Sequence, residues 1–120
     1  MPTEPELQPR LRFSLAGSPA FGPGKADLLT YITATGSIRT AAAELAMSYQ
    51  RAWTLVREMN GLFREPPVVV KRGGGTGGGA TLKDAGESAL ARCRRMEAAC
   101  RRATEDDWQA LCAMINPPAQ

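Results

Sequence analysis

The sequence contains no histidine, the side chain most often used for acid-base catalysis near neutral pH. Without an imidazole, neither a Ser-His nor a Cys-His nucleophilic pair can form, and no other catalytic constellation is recognisable. The three cysteines are odd in number and include no CxxC pair, which argues against a disulfide framework and against a zinc site. We therefore predict that the protein is not an enzyme and holds neither a metal nor a cofactor.

Long apolar stretches are also missing. No uninterrupted apolar run approaches the roughly 18 residues of a membrane span, and the first ten residues, MPTEPELQPR, do not read as a secretory leader. We therefore expect a cytoplasmic protein without a membrane partner. The length of 120 residues suffices for one domain with its own core.

Residues 37–60 indicate two short helices joined by a tight turn. Ser37 and Ser48 stand where a hydroxyl can cap the first turn of each helix. The inward residues of the two helices are expected to be Ala41, Ala42, Leu45 and Ala46, then Ala52, Leu55, Val56 and Met59. Small residues at such positions let two helices cross closely, as in a helix-turn-helix. The outward set on the second helix can bond base edges and phosphates; it comprises Ser48, Tyr49, Gln50, Arg51, Trp53, Thr54 and Arg57.

The charge of the surrounding segment is compatible with a polyanionic partner. Residues 37–83 contain seven basic and three acidic side chains. A basic surface favours nucleic acid. Taken alone, this excess is equally compatible with an ordinary solvated surface.

The flanking segments predict a small α/β frame. Residues 1–10 are rich in proline and read as a flexible tail, and residues 11–16 alternate as a strand before a turn-rich GSPAFGPG. A helix is expected from Lys25 to Gly36, and the second motif helix should end near Gly61 or Phe63, ahead of two prolines. Residues 68–70 and 80–82 then form a hairpin around GGGTGGG. A nucleotide-binding loop is disfavoured, because a Walker loop needs Lys and Ser or Thr after its last glycine.

A long helix is predicted from Asp84 to Ala103. Its apolar residues recur at steps of three and four and form a seam of Ala89, Cys93, Met96, Cys100 and Ala103. This seam is expected to contact a second copy of the chain, and the alternative is that the helix folds back on its own domain. A short final helix would follow from Thr104, with Trp108, Leu111, Cys112 and Ile115 on one face.

The order of these elements resembles the N-terminal DNA-binding domain of ModE-type molybdate-responsive regulators, relatives of the LysR-type regulators. The resemblance covers roughly residues 11–103. Its motifs are Gly36-Ser37-Ile38 with Ala41-Ala42, then Met47-Ser48-Tyr49-Gln50-Arg51-Ala52-Trp53, then Gly77-Gly78-Gly79-Ala80 with Leu82 and Ala85-Gly86. It implies a winged-helix dimer with one helix in the major groove and the glycine loop as the wing.

The resemblance also implies which residues contact DNA. Groove-facing candidates are Ser48, Tyr49, Gln50, Arg51, Thr54 and Arg57, and the wing candidates are Lys71, Arg72 and Thr76. We expect phosphate contacts from Arg39, Lys71, Arg72 and the helix start at Ser37, and base reading by Tyr49, Gln50, Arg51 and Thr54. The chain departs from the pattern in having Thr76 at a usually basic wing position and Lys83 where Ser or Thr usually caps the long helix.

The sequence thus predicts a mainly α protein with a small β-hairpin, an α+β winged helix-turn-helix with a long C-terminal dimerisation helix. We divide it into a flexible tail (1–10), the DNA-binding domain (11–83), and the dimerisation helix with a short terminal helix (84–116). The expected function is sequence-specific transcriptional regulation by a homodimer on an inverted repeat of double-stranded DNA. No C-terminal oxyanion-binding region follows, so we expect a stand-alone domain to which molybdate does not bind directly. The alternative is a winged-helix protein-interaction module in a molybdenum-related pathway that does not bind DNA.

Overall fold

Five helices and four short strands make up the part of the chain that the computed structural model describes, residues 4–71 and 79–116. In chain order they are β1 (Phe13–Leu15), β2 (Ser18–Phe21), α1 (Pro23–Thr35), α2 (Ile38–Glu44), α3 (Tyr49–Leu62), β3 (Val68–Lys71), β4 (Gly79–Leu82), α4 (Asp84–Ala103) and α5 (Glu105–Met114). The architecture is therefore mainly helical with two antiparallel hairpins, β1–β2 and β3–β4.

The core is built around α1. Leu28, Leu29 and Ile32 on this helix are fully buried among the apolar residues of α2, α3 and the two hairpins. The helix begins two residues before the predicted start, at Pro23, whose missing N–H costs nothing in a first turn. It ends as predicted at Gly36, which has a φ of 70° and donates its N–H to the Ile32 carbonyl.

The two predicted motif helices correspond to α2 and α3, and both predicted caps are present. Ser37 accepts from the Thr40 N–H at 3.1 Å, and Ser48 accepts from the Arg51 N–H at 3.0 Å. The predicted inner residues of α3 are all buried. The prediction that Ala46 lies on the inner face of the first motif helix is wrong, because that helix ends at Glu44. Ala46 is exposed in the turn, with a φ of 54°.

The first hairpin contains a strand that the sequence pattern does not reveal. Ala16 and Gly17 have φ values of 53° and 82°, as a type I′ turn requires, and the chain returns as β2 through residues interpreted as turn. Pro19 is tolerated because the sheet has only two strands, so each of them is an edge. β1 and β2 thus form a hairpin in front of α1.

The second hairpin matches the prediction and is joined to the helices at several points. β3 and β4 pair antiparallel from Val68 opposite Leu82 to Lys71 opposite Gly79. The Ala80 N–H donates to the Gly36 carbonyl at 2.8 Å, which fixes β4 to the turn between α1 and α2. The glycine loop that would form the wing tip, with the candidate contacts Arg72 and Thr76, lies outside the described residues.

The long helix α4 has the predicted bounds, and its first half packs against its own domain. The Arg94 guanidinium donates to Thr30 at 2.8 Å and pairs with Asp27 at 3.3 Å, both on α1. Leu90 and Cys93 contact the core. The predicted seam is therefore not one continuous free face, because Cys93 serves the domain itself while Met96 is 56% exposed.

The last helix, α5, follows directly after Thr104. Trp108 and Cys112 are half-buried, whereas Leu111, Met114 and Ile115 are exposed. Within residues 4–71 and 79–116, no helix combines the length and the apolar character that crossing a membrane requires.

Candidate nucleic-acid interface

Helix α3 presents three distinct stripes of side chains outside its buried face. Successive residues of an α-helix are about 100° apart, so Gln50, Thr54 and Arg57 form one stripe directly opposite the buried residues. Gln50 and Arg57 are exposed and Thr54 is half-buried. This outward stripe presents an amide, a hydroxyl and a guanidinium, which are groups that bond base edges and phosphates.

A second stripe of α3 faces the second hairpin and ends in Asn60. The Asn60 side-chain amide donates to the Val68 carbonyl and its Oδ1 accepts from the Val68 N–H, both at 3.1 Å. These two bonds satisfy the backbone of β3 on the side that does not face β4. Asn60 therefore fixes the hairpin that would carry the wing directly to the candidate recognition helix.

Tyr49, at the start of the same stripe, is held in an aromatic cluster. The Arg39 guanidinium carbon lies 4.2 Å from the centre of its ring, and the Trp53 ring meets it edge-on at 6.2 Å between centres. Trp53 packs against the core in turn. The cluster joins α2 to α3 and holds the Arg39 charge and the 38% exposed Tyr49 beside the outward stripe.

Several candidate hydroxyls already have partners within the protein. Ser37 and Ser48 accept the capping bonds described above, and Thr54 donates its hydroxyl proton to the Gln50 carbonyl at 3.0 Å. These oxygens keep free lone pairs, but part of their bonding capacity maintains the helices. In the outward stripe, by contrast, the Gln50 amide has no hydrogen bond to another residue among those the structure describes.

The third stripe of α3 is formed by Arg51 and Glu58, with the buried Leu55 at its inner edge. It borders an open groove of about 460 Å³ next to the first hairpin. Lys25 on α1 spans its base, with Nζ 3.2 Å from the Glu58 carboxylate and 2.7 Å from the Ala20 carbonyl. Arg12, just before β1, also lines it. No site role was predicted for Arg12 or Lys25. The hairpin that brings Arg12 to α3 has no clear signal in the sequence, and Lys25 was interpreted only as the start of the first helix.

The structure places several of the sequence-predicted contacts along α3 or directly beside it. Arg39 and Tyr49 lie together, the outward stripe follows along α3, and Lys71 is exposed at the end of β3. Asn60 was interpreted only as the end of a helix. Its bonds to Val68, eight residues along the chain and beyond two prolines, have no recognisable signal in the sequence. Among the described residues, no cluster of three potential metal ligands occurs.

Two neighbouring groups on α4, Cys93 and Arg94, have shifted pKa values. Burial raises the pKa of the Cys93 thiol, the negative charge of Glu97 raises it further, and Arg94 opposes the rise. The pKa of Arg94 itself is also raised: burial lowers it, but its bonds and ion pairs with Glu97 and Asp27 outweigh that effect. These shifts belong to the packing of α4 on α1.

The chain is similar in sequence to several characterised proteins. It is 37% identical over 100 residues to the molybdenum-pterin-binding protein MopA of Rhodobacter capsulatus, a match covering 83% of this chain and 38% of MopA. It is 44% identical over 77 residues to the molybdenum-pterin-binding protein MopB of the same organism, covering 64% of the chain and 28% of MopB. With the DNA-binding transcriptional dual regulator ModE of Escherichia coli strain K12, it shares 38% identity over 65 residues, or 54% of the chain and 25% of ModE.

No protein-family model matches the chain. The chain spans less than two fifths of each of these relatives, with 38% for MopA the largest share of the three. Their names describe binding and regulatory proteins. The similarity to MopA and MopB was not expected, whereas the predicted resemblance to ModE is confirmed as sequence homology. The chain is thus homologous to MopA and MopB and, over a shorter stretch, to the N-terminal region of ModE.

Proposed function

We propose that this protein is a DNA-binding transcriptional regulator that places α3 in the major groove. The observation that carries the proposal is the outward stripe of Gln50, Thr54 and Arg57 on a capped helix-turn-helix, together with the exposed charges of Arg39 and Lys71. The homology to ModE, whose name describes a DNA-binding transcriptional regulator, supports it.

The side chains divide into two roles under this proposal. Gln50 and Thr54 read base edges, and Tyr49 adds a contact from beside them; a glutamine amide suits the paired donor and acceptor of adenine. Arg39, Arg57 and Lys71 contact phosphates and set the register of the protein on the duplex. Ser37 and Ser48 present helix starts to the backbone, and Arg72 and Thr76 would extend the contact along the wing.

We further propose that the regulator is a homodimer. Beyond the part of α4 that packs on α1, several apolar side chains are exposed, and they support a surface for a second copy of the chain. These residues are Met96 and Ala103 on α4, with Leu111, Met114 and Ile115 toward the C-terminus. The predicted seam residues Ala89 and Cys100 are half-buried. Two-fold symmetry would then require an inverted repeat, with half-sites one helical turn or a multiple apart.

The decisive experiment measures affinity for DNA against salt. Fluorescence anisotropy with a labelled duplex of mixed sequence should give binding at about 50 mM salt and a steep linear fall of log affinity with log salt. Lys71→Ala should weaken binding to all sequences alike and lower the slope. Arg95→Ala, an equal charge change on an exposed position of α4, is the matched control and should leave the slope unchanged.

Sequence preference requires a second measurement. Recovery of bound DNA from a random library should yield a shared motif, and Gln50→Ala should relax preference at particular base pairs while leaving mixed-sequence binding intact. Absence of binding to any duplex at low salt would overturn the proposal. It would favour instead a protein-interaction module that uses the same face of α3.

A further inference from the structure

We propose that the groove between the first hairpin and α3 seats a DNA backbone phosphate, held by Arg12 and Arg51. The inference rests on the proposed DNA binding and adds a contact element that neither the sequence motifs nor the relatives assign. It also moves Arg51 from base reading to phosphate binding.

The position of Arg51 around α3 is the first argument. Arg51 lies about 100° from Gln50 around the helix axis, on the stripe that it shares with Leu55 and Glu58 along the groove. The stripe containing Asn60 lies on the other side of Gln50 and is occupied by the second hairpin. A recognition helix in a major groove has a phosphate strand along each flank. The second hairpin thus meets one strand, and the groove meets the other.

The orientation of the first hairpin is the second argument. Its tip, residues 15–18, lies near the C-terminal end of α3, because Leu15 and Ser18 line a cavity together with Gly61 and Leu62. The opposite end of the hairpin therefore points toward the start of α3. Arg12 stands at that end, against Gly22, and lines the groove together with Arg51 and Met47 of the helix-turn-helix turn. Arg12 and Arg51 consequently both line the part of the groove toward the start of α3.

The charges of the groove are the third argument. The Lys25 side chain is only 12% exposed, and its Nζ is bonded to the Glu58 carboxylate and the Ala20 carbonyl. The Lys25–Glu58 ion pair is therefore locally neutral and forms the base of the groove. Glu58 is seven residues beyond Arg51, about 10 Å farther along the helix. Arg12 and Arg51 are exposed, and neither has an ion pair among the described residues. Two exposed guanidiniums along one groove suit the planar, bidentate recognition of a phosphate.

The rigidity of the hairpin is the fourth argument. A phosphate contact contributes to affinity when its element is already in place, since ordering a loose segment on binding costs entropy. Lys25 joins β2 to α3 through its two bonds, and the Phe21 ring packs edge-on against Phe63 at 5.7 Å between centres. Arg12 is therefore presented by a hairpin that is fixed to the recognition helix.

The test compares Arg12→Ala with the wild-type chain by the salt dependence of DNA affinity. One lost phosphate contact should lower the slope of log affinity against log salt by about 0.9. The loss of affinity between about 50 and 200 mM salt should then be about 3.5-fold smaller than in the wild type. The change should be the same on a selected site and on mixed-sequence DNA, and Arg51→Ala should reproduce it. Arg12→Lys should restore most of the slope.

Arg10→Ala is the matched control. Arg10 is two residues away and equally charged, but it pairs with Asp27 at 3.8 Å and does not line the groove, so its loss should leave the slope unchanged. A wild-type slope in Arg12→Ala would overturn the groove assignment while leaving the proposed function intact. A wild-type chain that binds no DNA would overturn both. Unchanged urea midpoints in the variants would exclude unfolding as the cause of any effect.

Discussion

Replacing Asn60 with alanine should reveal how strongly α3 and the second hairpin are joined. The substitution removes both bonds to Val68, a residue that is 2% exposed, and leaves its N–H and C=O without their partner. At about 1 kcal/mol net for each bond, the loss is about 2 kcal/mol, and the burial of Val68 raises it toward about 3. Alanine returns roughly 0.5 kcal/mol through its higher helix propensity. The free energy of unfolding should therefore fall by about 2 kcal/mol.

Equilibrium urea unfolding measures this change. With an m value of about 2 kcal/mol/M, the midpoint should move down by about 1 M. Gln50→Ala is the matched control, because it removes an amide from the same helix at an exposed position. Its midpoint should stay within about 0.3 M of the wild type. Asn60→Asp, which keeps the acceptor for the Val68 N–H but loses the donor, should fall between wild type and Asn60→Ala. A midpoint for Asn60→Ala equal to that of Gln50→Ala would refute the stabilising role of the two bonds.

Three further predictions concern α4. Gly86→Ala should destabilise the fold by about 1–3 kcal/mol despite the better helix propensity of alanine. The new methyl group would lie 3.1 Å from Pro67 Cβ and closer still to the Pro67 carbonyl oxygen. A higher urea midpoint in this variant would contradict that contact. The raised pKa of Cys93 keeps its thiol protonated in the native state to higher pH than in the unfolded chain. The contribution of this thiol to the free energy of unfolding is intact below pH 9.0, the ordinary pKa of a cysteine, and is lost as pH rises through the native pKa. Above about pH 9, the free energy of unfolding should therefore fall less in Cys93→Ser than in the wild type. Met96→Glu places a charge on a 56% exposed residue of the proposed dimer surface and should halve the mass measured by light scattering, whereas Arg95→Ala should not; an unchanged mass for a dimeric chain would remove Met96 from the interface.

Local signals in the sequence were sufficient to predict where each motif helix starts, where α1 ends and which face of α3 is buried. Each motif helix begins at the serine that the pattern indicated, since a cap depends on one residue and the three that follow it. Gly36 ends α1 for an equally local reason, as its left-handed φ is unfavourable for other residues. The buried face of α3 follows from the helical period alone. These features were predictable because their causes lie within four or five residues of chain.

The remaining features depend on contacts between distant segments. β2 was not predicted because Pro19 and the flanking glycines suggest a turn, and only the pairing with β1 makes the segment a strand. Asn60 has no local signature for its two bonds to Val68. The apolar seam of α4 was predicted as one surface because periodicity does not show which neighbour covers it. Cys93 shows that part of this face packs against the core of its own domain.

The connections around α3 limit how DNA binding could be controlled in the proposed dimer. One flank of α3 is bonded to β3 through Asn60, and the other is bonded to α1 and β2 through Lys25. The helix cannot turn against either hairpin without breaking these bonds, so its contacts move together as one body. α1 is in turn fixed to α4 through Arg94. In the proposed dimer, a signal would therefore change DNA affinity by altering the distance or angle between two such bodies. The element that would set both is the exposed second half of α4 with α5.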